Sequence, residues 1–133
     1  MPGALTYAAK NHSGNEFLRG LDPAEFGFPV YLALFTTDPG DVGDLSGEVV
    51  AAEYARQLIT FGAPASPGVF TNSVECLFPS IATSWGTIGW VGIVDSPTTL
   101  AGLMIVHGAV GPYTPPAGRR VWLQIGQGTV TWP

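Results

Sequence analysis

The stretch WGTIGWVGIVDSPTTLAGLMIVHGAV, residues 85–110, decides how this chain is read. It holds two apolar runs, 88–94 and 100–111, on either side of the turn cluster DSPTT. Neither run reaches the roughly 18–20 residues a membrane-crossing helix requires. Neither repeats with a helical period, and turn residues bound both, which is the pattern of buried strands. Working outward, the same punctuation recurs. PVYLALFTT (29–37) is stopped by DPGDVGDLSG, and EYARQLITFG (53–62) by APASPG. VFTNSVECLFP (69–79) is one strand or two, with Asn72-Ser73 as the break. GPYTPPAGRR then separates 100–110 from VWLQIG and GTVTW. Short strands with frequent turns and no βαβ alternation predict an all-β chain, an antiparallel β-sandwich or jelly-roll-like single domain over residues 29–133. Residues 1–28 are polar and glycine-broken. They are expected to form an irregular N-terminal arm with short helical turns, one over 15–21 and one begun by Asp22-Pro23.

Composition narrows the function classes. Only 11% of the 133 residues are charged, against about 25% in an ordinary soluble domain. Hydrophobic residues make up 46%, so this is a folded chain with an uncharged surface, a property of subunits that pack against other subunits; the alternative is a soluble monomer with a Ser/Thr/Gly-rich exterior. The net charge is −5, and the longest basic run is Arg119-Arg120. Nucleic acid is therefore not an expected partner. The start has no apolar run of signal-peptide type, and no membrane association is expected. The single cysteine, Cys76, reads as a small buried hydrophobe.

Chemistry-bearing residues are sparse. No nucleophile elbow is present, and one cysteine with His12 and His107 makes no zinc pattern. Asp38, Asp41 and Asp44 form an acidic turn that is a weak calcium candidate, matching neither standard calcium-loop spacing. Glu53 and Glu75 would have to flank a glycosidic bond to act as a hydrolase pair, and nothing local places them together. No cofactor and no catalytic residue is expected. Arg56 is different. It lies in a run that otherwise asks to be buried, so it must be paired, with Glu53, Asp95, the 38–44 loop or backbone carbonyls as candidates. Arg56, Tyr54, Trp85, Trp90 and Asp95 are thus expected to be structural or interface residues. The glycines beside Trp85 and Trp90 suit indoles lying over bare backbone; an aromatic platform for a sugar is the alternative.

The segments YLALFTTDPGD, EYARQLITFGAPASPGVFTNSVECLFP, SWGTIGWVGIVD and LAGLMIVHGAV together resemble a family of small tailed-bacteriophage virion proteins. Tyr54 to Gln57 (Y-A-R-Q) and Trp85 to Thr87 (W-G-T) carry most of that resemblance. It implies a non-enzymatic structural component located in the virion and assembled in the host cytoplasm. The small size and absence of a repetitive shaft lean towards a capsid decoration (cement) protein that binds its own copies and the major capsid protein. The alternative is a tail-fibre or tail-appendage subunit, partnered by tail proteins, with a lectin-like role. Tyr113, Trp122 and Trp132 would then be the candidate contacts to host glycan.

Overall fold

The computed structural model describes residues 4–19, 29–64 and 66–131. The expected turn at Asp22-Pro23 and the side chain of Trp132 lie outside them. Among the described residues nine strands and one helix follow in order: β1 (Ala4–Leu5), α1 (Tyr7–Arg19), β2 (Val30–Phe35), β3 (Gln57–Ile59), β4 (Val69–Thr71), β5 (Cys76–Leu77), β6 (Ile88–Val94), β7 (Met104–Tyr113), β8 (Trp122–Leu123) and β9 (Thr129–Thr131). One sheet has five antiparallel strands in the order β1-β7-β6-β2-β3. Two further antiparallel pairs, β4-β9 and β5-β8, form the opposing layer. The result is one small all-β domain of sandwich type.

The central strands read as unbroken apolar runs because both of their faces are covered. Strand side chains alternate between faces. The register sets Leu32 opposite Ile93, Leu34 opposite Val91, and Ile93 opposite Val106. Those residues share the main core with Phe78 and Cys76 from the second layer and Val130 from β9. The reverse face carries Ala33, Phe35, Val94 and Met104, covered by Leu45 of the 38–47 loop and by Trp90. Gly92 sits on this face, where a side chain would displace its neighbours. A Cβ there would lie 2.7 Å from Met104 Cε and 3.0 Å from Phe35 Cε2.

Two elements differ from the sequence reading, each for a local reason. The N-terminal segment is more regular than an arm with one or two turns. Ala4 and Leu5 pair with His107 and Val106 on β7. Thr6 then caps the helix, its hydroxyl accepting from Ala9 N–H and donating to the Met104 carbonyl at 2.5 Å. Tyr7 N–H donates to the Asp41 carbonyl, and Ala9 is buried in the main core. Tertiary anchoring thus sustains a 13-residue helix despite its internal glycine. The strand expected over 53–62 shrinks to Gln57–Ile59, because Glu53, Tyr54 and Arg56 use their side chains to tie other loops rather than extend a ladder.

Asn72 explains the break within 69–79. It is buried at 1% exposure. Its amide donates to the Val74 and Gln124 carbonyls and its oxygen accepts from Gly128 N–H. Its backbone also pairs with Gly126 and Gly128. One side chain thereby fastens the turn between β8 and β9 onto the crossing from β4 to β5.

Candidate functional site

Arg56 is buried, and its guanidinium is fully committed to structure. Nε and Nη2 donate to the two oxygens of Glu48, each at 2.7 Å, and both side chains are shielded from solvent. Nη1 donates to the carbonyls of Ser96 and Ala101 at 2.7 and 2.8 Å. Glu48 also accepts from the Tyr54 hydroxyl and from Leu100 N–H. The Tyr54 hydroxyl in turn accepts from Leu34 N–H in the central sheet. Burial and the adjacent Glu48 carboxylate push the Tyr54 phenol far above its usual range. This network ties residues 48–56 and the 95–103 loop to β2. Glu48 is the partner that sequence reasoning missed. It stands alone in SGEVV, and no local spacing links it to a guanidinium eight positions on.

Tyr54 is stacked on Phe78 at 6.0 Å between ring centroids, with Trp85 edge-on to both. The indole N–H of Trp85 donates to Glu53 Oε1 at 2.9 Å, and the same oxygen accepts from Ala82 N–H and Thr83 N–H. These donors, led by the Thr83 backbone, hold the Glu53 carboxyl down at about 2. Glu53 is a loop tie, not a poised acid. Asp95 closes the 95–103 loop by accepting from Leu103 N–H. Trp90 packs against the reverse-face cluster, half-buried.

The acidic turn is engaged residue by residue. Asp38 accepts from Gly40 N–H, and Asp44 from Ser46 N–H. Asp41 pairs with His107 at 2.9 Å and with Lys10 at 3.3 Å, and these two partners lower its pKa. Among the described residues no three His, Cys, Asp or Glu side chains form a metal-binding group, so the calcium reading gains no support from geometry.

Among the described residues an open cleft lies between β2, β6 and β7 on one side and Phe78, Val121 and β8 on the other. Its volume is about 220 Å³, below the roughly 300–1,000 Å³ of sites enclosing a drug-sized ligand. The floor is core: Leu34, Phe78, Ile88 and Val91, all buried. Tyr113, at the end of β7, and Trp122, on β8, stand at the mouth, 51% and 52% exposed. Two residues singled out in the sequence as glycan contacts thus share one cleft, although the stretch TPPAGRRV, residues 114–121, lies between them.

Polar groups adjoin the lining residues. Trp122 Nε1–H donates to Glu75 Oε2 at 2.8 Å. Thr87 and Thr114 share a hydroxyl hydrogen bond of 2.7 Å beside Ile88 and Tyr113. Arg120 Nε donates to the carbonyl of Phe78 at 2.7 Å. Glu75, weighed in the sequence only as half of a hydrolase pair, is therefore the partner of the Trp122 indole. Its signal was the Trp122 partner, which only strand pairing of Cys76–Leu77 with Trp122–Leu123 brings near.

The family model of the podophage GP4 fiber I protein gp80 matches residues 4–131. No curated protein matches the chain.

Proposed function

The chain belongs to the family of the podophage GP4 fiber I protein gp80, and from that premise we propose that it is a non-enzymatic subunit of a phage tail fibre or tail appendage. It assembles with its own copies and with tail proteins, and its aromatic cleft contacts carbohydrate on the host surface. A fibre family supports this reading over the capsid-decoration role that size and composition favoured. The sparse surface charge supports subunit packing.

The carbohydrate part rests on a contrast among the aromatic residues. Tyr54, Phe78 and Trp85 are buried and packed against one another. Tyr113 and Trp122 leave half their surface in water at the mouth of a single cleft. Aromatic rings combine a large apolar face with a polar handle, which suits them to a ligand that is itself apolar on its faces and polar at its edges. A sugar ring is such a ligand.

The test mixes purified protein with isolated tails, with capsids and with host surface polysaccharide. Binding to tails and polysaccharide is expected, with Trp122→Ala and Tyr113→Ala weakening the polysaccharide arm at an unchanged melting temperature. Binding to capsids alone would overturn the proposal and restore the cement role.

A further inference from the structure

Leu100 is held in a backbone conformation that its side chain resists, and it is held there facing water. Its φ is 64°, and among the described residues it is the one non-glycine with a positive φ. A bulky side chain is strained in that region. Ala101 N–H donates to the Thr98 carbonyl, so Leu100 takes the third position of a tight turn, where glycine or asparagine is usual. The loop is clamped in this shape. Leu100 N–H donates to Glu48 Oε2 at 2.7 Å, and Arg56 Nη1 donates to the carbonyls of Ser96 and Ala101. A glycine would make the same backbone bonds without strain. What leucine adds at this position is its side chain, and the residue is 48% exposed. Leu103, in the same loop, is exposed as well. A rigid loop that presents apolar side chains to solvent has little conformational freedom left to lose on docking.

The geometry points to the seat for Leu100: the Tyr113–Trp122 cleft of a second copy of this chain, so that copies associate head to tail. This inference rests on the reading above that the chain packs against its own copies, and it names the two surfaces. Loop and cleft lie at opposite ends of the same strands. Ile88 at the start of β6 lines the cleft, while Val94 at its end leads into the loop. β7 covers the same span in reverse, from Met104 opposite Val94 to Tyr113 opposite Ile88. Seven strand residues separate the two sites by roughly 20 Å, so a copy cannot seat its own Leu100. A contact between two different surfaces repeats from copy to copy.

The surfaces match in polarity. The cleft floor is closed core, and what faces water at the mouth is Tyr113 and Trp122, with Val110 and Val121 partly buried beside them. Docking an aliphatic side chain there removes apolar surface of both copies from water. Charge is complementary around this centre. Arg119 and Arg120 are exposed, and Arg120 donates to the carbonyl of Phe78, a lining residue. The ion pairs among the described residues are Lys10–Asp41, Arg56–Glu48 and His107–Asp41, so neither arginine has a carboxylate partner there. The loop end carries carboxylates instead. Asp95 opens the loop, and Asp44 follows Gly43, where a Cβ would lie 3.1 Å from Met104 Cβ. Opposite charges around an apolar centre set the orientation and disfavour contact between like ends. In a row of copies only the terminal one keeps its cleft open, and the carbohydrate contact proposed above falls to that copy.

The test is sedimentation of the purified full chain over a range of concentrations. Reversible association is expected, weakened by added salt. Leu100→Gly should weaken it about tenfold or more while melting close to the wild type. Should the glycine variant melt well below it, Leu100→Asn takes its place, since asparagine also tolerates this backbone region. A mixture of Leu100→Cys and Trp122→Cys proteins should form a disulfide between unlike copies, and neither variant alone should cross-link. A monomer at every concentration, association indifferent to Leu100, or cross-links between like copies would each overturn the proposal. Binding to tails and polysaccharide is measured apart from it, because Leu100 lies away from Tyr113 and Trp122. Retention of that binding in a chain that does not self-associate would leave the tail and carbohydrate reading standing.

Discussion

Replacing Arg56 by methionine should be among the most damaging single changes in this protein. The substitution removes four donated hydrogen bonds, two to Glu48 and one each to the Ser96 and Ala101 carbonyls. It also leaves a carboxylate shielded from water with only the Tyr54 hydroxyl and Leu100 N–H as partners. Breaking one side of a buried ion pair costs about 3–5 kcal/mol. Against a total stability of about 5–15 kcal/mol for a domain this is a large fraction. At about 4 °C per kcal/mol for a chain of this size, the melting temperature should fall by roughly 12–20 °C. The diagnostic comparison is the cycle with Glu48→Met and the double variant. Each single substitution strands the other partner, so the second removes an orphan that the first created. What remains in the double variant is the loss of an acceptor for Tyr54 and Leu100 and of a donor to the Ser96 and Ala101 carbonyls, losses that the single variants already carry and that cancel in the cycle. Denaturant unfolding should therefore give a coupling of at least about 2 kcal/mol. A shift in Tm of less than about 2 °C for Arg56→Met, or additivity within about 0.5 kcal/mol, would refute the view that this pair pins the 95–103 loop.

Other substitutions probe the remaining ties. Glu53 has a carboxyl held down at about 2, so its contribution is fully present above the ordinary carboxylate range and is lost as pH falls through about 2. Wild-type protein should lose more stability between pH 4.5 and 2 than Glu53→Gln, which never had that contribution; parallel melting curves for the two would count against the tie. Cys76 is buried, its thiol pushed up to about 11, so a disulfide reagent at pH 8 should label it only as fast as the fold opens. Prompt labelling of native protein would show the thiol to be accessible. Gly102 has a φ of +89°, and a Cβ there would lie 2.6 Å from both Asp95 Oδ1 and Ser96 Cβ. Gly102→Ala should destabilise by about 1–3 kcal/mol from backbone strain and crowding, measured by urea unfolding. Wild-type stability would mean the loop repacks freely.

How much of this was legible in the sequence depended on where each interaction is encoded. Val30–Phe35 and Ile88–Val94 were readable because burial on both faces writes itself as a continuous apolar run between turns. The turn DSPTT was readable from its own residues. The short extent of β3 was not, since YARQL has strand-forming composition and only tertiary partners reveal that Glu53, Tyr54 and Arg56 serve as ties. The helix Tyr7–Arg19 was hidden by Gly14 and by a cap whose value comes from β7. That Arg56 needs partners followed from its burial alone. That Glu48 is one of them follows from the fold. The cleft has the same character: Tyr113 and Trp122 are visible as exposed aromatics beside turns, but their meeting requires β7 and β8 to lie in opposite layers.

The pairing of β4 with β9, and of β5 with β8, has a consequence for how the protein comes to be made. Each pair joins residues more than forty positions apart, and β1 waits in the same way for β7. Contacts of such long range close slowly, because the loop entropy is lost before the pairing is gained. A nascent chain that has emerged only as far as residue 110 would already hold β2, β6 and most of β7, yet Phe78 and the inner face of that sheet would lack the β8–β9 cover. During synthesis an apolar sheet face is thus open to solvent until the last ribbon arrives. Expression yield should accordingly respond to chaperone supply and temperature more sharply than the stability of the finished domain would imply.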